Sequence, residues 1–587
     1  MNGNEGRRVT TDNFFADLDR AVSVLESHGY GSDMVTQVLG EHGMAAVNSR
    51  NYAAARWYAC SPHGNSVDGQ DAASAADSPT GGTPPVSDVR LAVVLGCYLR
   101  EPLPQADWEA IFGAELTADL GNSGVILKGR LQADIRPISA PAHGPAEVLL
   151  VSDPDAAAEP QTPTAEHVPG AGNASMSLLN MIAPIDAGDI DSGSSQAGDD
   201  SSGVTEILDL GCGSGVLSLL LAASYPHVQV TGTDLSERAL AFAELGRVSG
   251  NSGVDTKEKT DKPNANRASN TEWLRGNWFD PVDGRQFDVI VSNPPFVMAP
   301  PAREEAKTYR ESGLDLDGAS ALVVGEVSDY LHEGGRAHLL AGWALRGEES
   351  AAQRVSAWLP GHGVRAWVVQ RELIDIAEYV TTWLRDEGVD VRTAEGAARV
   401  AEWLDYLARF DVTRIGMGYV HVEKLETEAP SEVTFEVMDQ PLPAGTFLGH
   451  EVSEWFARAR WLAEINHEEL LDSTFAVRPG VAIERVEVAD TDEGQGFTEF
   501  TMKLSRTDGP AWSHEIDAHV RAIISGLHPQ GLALRDVIDL YCTVQGLDSD
   551  SISDALVPIV IDLIRHGFLL PPCPDGRAVA KREEKKL

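Results

Sequence analysis

ILDLGCGSGVLSLLLA, residues 207–222, changes character at its midpoint. The first half, Ile207-Leu208-Asp209-Leu210, is a strand-like apolar run interrupted by one acid. Gly211, Gly213 and Gly215 follow at alternate positions, and then an apolar run long enough to open a helix. A strand, a glycine-rich turn and a helix in immediate succession form the repeating unit of an α/β fold. Glycine lets such a turn approach a ligand closely, and the first turn of the helix leaves backbone N–H donors free. A dinucleotide fingerprint has the spacing G-x-G-x-x-G/A. Here it is G-x-G-x-G, and Val216 stands where the third small residue would be, so NAD fits poorly.

Two further strand ends carry chemistry. VTGTDLS (230–236) places Asp234 about 20 residues beyond the glycines, where an acid can accept both hydroxyls of a ribose. Alternatively, Asp234 is a charge or cap at a helix start beside Ser236. In FDVIVSNPPF (287–296) an apolar strand stops at Asn293, because Pro294 and Pro295 cannot continue a central strand. The Asn293 side-chain oxygen and the Pro294 carbonyl are two adjacent acceptors, and Phe296 can stack on a planar group. Read without its neighbours, NPPF is a strand-terminating turn.

Asp209 to Gly215 resembles the D-x-G-x-G-x-G loop of class I S-adenosylmethionine-dependent methyltransferases, and NPPF resembles the [DN]-PP-[FYW] signature of those that modify planar nitrogens. GNWFDPVDGRQFDVIVSNPPF (276–296) is similar to a run in release-factor glutamine methyltransferases and small-domain rRNA guanine methyltransferases. The resemblance covers roughly 165–425 and extends to the large actinobacterial type of this group. It implies a Rossmann-like seven-stranded sheet, with S-adenosyl-L-methionine as cofactor and no metal. Cofactor contacts are then expected from Asp209, Gly211, Gly213, Gly215, Asp234, Leu235, Asn277 and Trp278. Asn277 stands where the family usually has Asp; Trp278 and Phe279 either flank the adenine or pack in the core. Asn293, Pro294, Pro295 and Phe296 become the catalytic group. The two acceptors would take the N–H hydrogens of a conjugated nitrogen and free its lone pair for attack, with no separate general base. GAGNASMSLLNMI (170–182) looks like a segment that closes over the cofactor. YRESGLDLDGAS (309–320) resembles the entrance loop, making Phe296, Tyr309, Arg310 and Asp317 substrate contacts, unless the last three are surface polar groups.

The chain has 587 residues, too many for one core. Strand runs at 206–211, 228–235, 287–295, 335–343, 364–370 and 416–424 alternate with helical patterns, placing the methyltransferase domain at 204–425. Residues 1–151 read as a helical, winged-helix-like module ending in a hairpin, with Phe14, Leu18, Val22 and Leu25 on one helical stripe. An α+β module with a winged-helix-like end is expected at 430–575, and a tail at 576–587. Stretches 61–87 and 152–203 are rich in Ser, Gly, Ala, Pro and Asp and read as disordered, and 251–270 as a surface loop.

A formal charge of −43 disfavours bare phosphate backbones as partners. Five scattered cysteines without CxxC spacing suit a reduced cytoplasmic protein, and no apolar run is long enough for a membrane span. Acidity favours a glutamine side-chain amide in a translation factor or ribosomal component as substrate. Phe296, where glutamine enzymes more usually carry Tyr, and the winged-helix-like flanks favour an exocyclic amine of adenine or guanine in nucleic acid. A non-catalytic, cofactor-binding adaptor is the third reading, supported by Asn277 and the insertions.

Overall fold

The computed structural model describes residues 11–61, 88–154, 166–185, 205–248, 268–301, 313–438, 440–442, 445–489 and 494–572. Residues 62–87, 155–165, 186–203, most of the 251–270 loop and the tail lie outside these residues, whereas 166–185, within the stretch expected to be disordered, is described and carries helix Asn173–Leu179. Tyr309 and Arg310 lie outside the described residues as well.

Alternating β and α patterns fold into one mixed sheet whose strands, in chain order, are β1 (Glu206–Leu210), β2 (Gln229–Asp234), β3 (Thr271–Arg275), β4 (Phe287–Ser292), β5 (Leu331–Arg346), β6 (Val364–Asp375), β7 (Val412–Lys424) and β8 (Glu432–Val437). Across the sheet the order is β8-β6-β7-β5-β4-β1-β2-β3. Strands β1 to β5 run parallel, and β7 runs antiparallel to both of its neighbours. The chain therefore winds outward from β1 in one direction and from β4 in the other. That reversal opens a crevice at the carboxyl ends of β1 and β4.

The α/β expectation is met, and the seven expected strands gain an eighth. Strand β8 pairs in parallel with β6, beyond the expected end of the domain at 425. Its glutamates hide the strand in a sequence reading, yet they are what fasten it. Arg365 on β6 forks onto Glu432 at 2.8 and 3.1 Å, and the Trp367 indole N–H donates to Glu436 at 2.7 Å. The same Arg365 reaches buried Glu423 on β7 at 3.2 Å.

Helices Thr11–Ser27, Gln105–Phe112 and Ala114–Asn122 and the hairpin Asp134–Ser139/Glu147–Ser152 stand in the order read from the sequence. Leu18, Val22 and Leu25 are fully buried, as their stripe implies. Their core does not end at a module boundary. It takes in Ala239, Phe242 and Leu245 from the helix after β2, and Arg247–Val248 adds a third strand to the hairpin. Residues 1–179 and 185–439 accordingly form one compact unit.

Residues 180–184 and 440–587 form the other. Strands Val481–Ala489, Phe497–Arg506 and Ser513–Ile516 make an antiparallel sheet beside helices Ala518–Ser525, Leu534–Gln545 and Ser549–Arg565. HEIDAHVRAIISGL reads as one helix, but its first three residues belong to the third strand. Asp517 resets the chain by capping the helix, its carboxylate accepting from the Val520 N–H at 2.8 Å.

Replacing Arg365 by Met takes one guanidinium from buried Glu423 and unfastens β8 from Glu432. Urea denaturation should show a loss on the order of 2 kcal/mol or more. A variant as stable as the parent would show that the eighth strand is held by backbone pairing alone.

Candidate functional site

Register places the site. Leu210 on β1 pairs with Thr233 on β2 and with Ser292 on β4, so three strand ends are level. Gly211, Asp234 and Asn293 consequently emerge side by side at one edge of the sheet. They line a cavity of about 200 Å³ together with Gly213, Leu235, Asn277, Trp278 and Pro295.

The glycine turn is tied to β2 by two N–H groups, those of Gly211 and Cys212, both donating to the Thr233 carbonyl at 2.9 Å. Gly213 and Gly215 have φ of 55° and 80°, left-handed angles that side chains disfavour. A Cβ on Gly215 would also meet Ala243 and the Trp273 ring at 2.9 Å. Asp209 is buried and lines the cavity, and one of its carboxylate oxygens accepts from the Ser218 hydroxyl at 2.6 Å and from its N–H at 3.1 Å. It thus locks the helix start to β1. Asp234 faces the turn, accepting from the Gly213 N–H at 2.9 Å and the Ser236 N–H at 2.8 Å. Burial pushes its carboxyl above the usual range, against those backbone bonds. Leu235, half exposed, follows it on the cavity wall.

Trp278 and Phe279 separate in function. Phe279 is buried and stacked on Tyr330 with ring centroids 4.3 Å apart, so its role is packing. Trp278 lines the cavity and holds a left-handed φ of 48°, a conformation uncommon for a bulky residue and one that turns the chain at Asn277.

Asn293 donates through its side-chain nitrogen to the Ser175 hydroxyl at 3.0 Å. Pro294 is buried and outside the cavity lining, whereas Pro295 lines it. Phe296 turns from this cavity towards Trp383, edge to face at 6.4 Å. Trp383 belongs to helix Ile376–Asp386, which with Ala394–Arg409 forms a helical pair between β6 and β7. That pair grips the chain beyond NPPF. The Tyr379 hydroxyl accepts from the Met298 N–H at 2.8 Å, and the Tyr406 hydroxyl accepts from the Leu316 N–H at 3.2 Å. Asp317 is neither a substrate contact nor a surface group. It is buried in a two-pronged pair with Arg354 at 2.7 and 2.9 Å and also accepts from the Ala344 N–H.

Of the 170–182 segment expected to close over the cofactor, Gly170 and Ser175 line the cavity, and 166–169, just before it, line the cavity too. Sequence reasoning missed the attachments. The Ser214 hydroxyl donates to the Pro169 carbonyl at 2.9 Å, and Asp153 and Val168 exchange two bonds. Ser218 carried one signal, a hydroxyl in the first turn of an apolar helix that follows a buried acid. Ser175 and Ser214 carried no such signal.

Among the described residues no group of three or more His, Cys, Asp or Glu could hold a metal ion, and no helix is long and apolar enough to cross a membrane.

Parts of the chain are similar to known proteins. Residues 190–309 match the family described as methyltransferase small domain, and 453–571 match a domain of unknown function, DUF7782. A release factor glutamine methyltransferase from Vibrio cholerae is 37% identical over 149 residues, 24% of this chain and 44% of that protein. Its counterpart from Bordetella pertussis is 31% identical over 183 residues, 29% of this chain and 57% of that protein. The chain thus spans about half the length of the curated relatives it matches. A Geobacter sulfurreducens methyltransferase solved with S-adenosyl-L-homocysteine overlaps at a TM-score of 0.19 and 16% identity, over 38% of this chain and 84% of that one.

Burial pushes the Asp209 carboxyl from its ordinary 3.8 up to about 6, with the Ser218 bonds opposing the rise. The folded chain therefore binds this proton more tightly than the unfolded chain. The stability Asp209 contributes is full below the unfolded value and is lost as pH rises through about 6. Measured by urea denaturation, Asp209→Asn should gain on the parent as pH rises from about 5 to about 7. A gap that stays constant over that window would mean that Asp209 is ionised without cost.

Proposed function

We propose that the chain transfers a methyl group from S-adenosyl-L-methionine to a planar amide nitrogen, the side chain of a glutamine in a translation-related protein. One observation carries the reading: a glycine turn, an acid and the Asn of an NPPF run open into one cavity from three level strand ends.

The cavity suits the cofactor. A Cβ on Gly211 or Gly213 would meet no protein atom within 4 Å, so the backbone there is bare towards the open space. Asp234, with Leu235 beside it, is placed for the two ribose hydroxyls, and Asn277 and Trp278 for the adenine. Asn277 keeps an acceptor oxygen where relatives carry an acid. When bound, the cofactor supplies an electrophilic methyl group.

The protein's own part is orientation and electrostatics. The Asn293 side-chain oxygen, which lines the cavity, and the Pro294 carbonyl, which lies between two lining residues but outside the lining itself, accept the two N–H hydrogens of the substrate amide. These bonds draw its lone pair out of conjugation and hold the nitrogen still. Pro294 and Pro295 keep the two acceptors rigid. Asp209 lines the cavity and also fixes the glycine turn to its helix through Ser218.

Two features support a protein substrate over a nucleobase: the similarity to release factor glutamine methyltransferases, and the charge of −43. With tritiated S-adenosylmethionine and lysate from cells lacking this protein, label should enter a protease-sensitive, nuclease-resistant fraction. Asn293→Ala should lower that label by about a hundredfold or more while leaving S-adenosylhomocysteine binding within about twofold. Label in a nuclease-sensitive fraction would transfer the proposal to a nucleobase. Equal labelling by parent and variant would overturn the role of Asn293.

A further inference from the structure

We infer that Ser175 is a positioning residue for Asn293, holding its amide so that the oxygen, rather than the nitrogen, faces the substrate. The inference rests on the reading of Asn293 given above. An asparagine amide is nearly symmetric in shape and opposite in chemistry at its two ends, one donating and one accepting. A site that must accept a substrate N–H fails when the amide is turned over. The Ser175 hydroxyl, itself lining the cavity, accepts from the nitrogen at 3.0 Å; a hydroxyl can serve either end of the amide, whereas a substrate N–H can only be accepted by the oxygen, so the two together set the end that faces the substrate.

A hydroxyl at the end of a loose segment would impose little. Ser175 instead sits in helix Asn173–Leu179, and the segment around it is pinned at three places. Upstream, the Val168 N–H donates to the Asp153 carboxylate at 2.9 Å, and the Asp153 N–H donates to the Val168 carbonyl at 3.0 Å. Asp153 is itself held in a two-pronged pair with Arg238. Next, the Ser214 hydroxyl ties Pro169 to the glycine turn. Downstream, buried His143 bonds the Leu179 carbonyl at 2.9 Å and the Tyr225 hydroxyl at 2.8 Å. One stretch of backbone thus touches the turn proposed for the cofactor and the amide proposed for the substrate. Their relative placement is built in before either ligand arrives.

The test uses the whole chain and an isosteric pair. Ser175→Thr keeps a hydroxyl, Ser175→Val removes it at the same shape, and Ser175→Ala is a second variant without an acceptor. The probes are tritiated S-adenosylmethionine at saturation with the same lysate, and S-adenosylhomocysteine for calorimetry. Methyl transfer should fall about tenfold in the Val and Ala variants and stay within about threefold of the parent in Thr, with S-adenosylhomocysteine affinity unchanged within about twofold in all three. In an Asn293→Ala background the Val substitution should cost nothing further, because the group it positions is gone. Thr and Val behaving alike, a loss of S-adenosylhomocysteine affinity in Val, or an additional loss in the Asn293→Ala background would each overturn the inference. Activity that depends on Asn293 but not on the Ser175 hydroxyl would remove this inference and leave the proposed function standing. Activity independent of Asn293 would remove both.

Discussion

The in-register pairing of β1 with both β2 and β4 is the constraint on which the site depends. A strand's side chains alternate with a period of two, so slipping β1 by one residue would reverse which of them face each layer. Leu208 and Leu210 would leave the core, Asp209 would lose Ser218, and the glycine turn would no longer meet Asp234. Because apolar packing fixes that register, the polar groups at the strand ends are placed by the core rather than by contacts of their own. The chain reverses direction between β1 and β4, and the crevice opens at that switch point.

A second layer of constraint comes from segments far away in sequence. Trp273 on β3 lies against Gly215 and Gly232, where any added Cβ would come within 3 Å of its ring. Tyr379 and Tyr406, from the helical pair between β6 and β7, hold the backbone after NPPF by its own N–H groups. The N-terminal helices share a core with the helix after β2, and Arg238 of that helix holds Asp153 while stacking on Phe14, Phe15 and Phe242. The site is therefore braced from the amino-terminal side by structure that the methyltransferase motifs alone do not include.

What the sequence disclosed follows from how local each feature is. A strand, a turn and a helix start are neighbours in the chain, so Asp209, the glycines, Asp234 and Asn293 announce themselves by spacing. Six of the strands from 206 to 424 were likewise readable from their apolar runs, whereas β3, the short TEWLR run at 271–275, was not. Strand β8 was not, because its glutamates are satisfied by Arg365 and Trp367 on the adjacent strand, partners that only folding supplies. Asp517 turned an apparent helix into a strand and a cap for the same kind of reason. Asp317 looked functional in a polar loop and proved to be half of an internal ion pair. Ser175 meets Asn293 across 118 residues, and no pattern along the chain marks such a contact.

The account turns on the cavity at these three strand ends being where S-adenosylmethionine sits, with Asp234 as its ribose acceptor. Calorimetric titration of S-adenosylhomocysteine into the full chain and into Asp234→Ala tests that most directly. The account predicts binding at one site per chain in the parent and affinity at least about tenfold weaker in the variant. Equal affinity in the two proteins, or no binding to the parent, would contradict it.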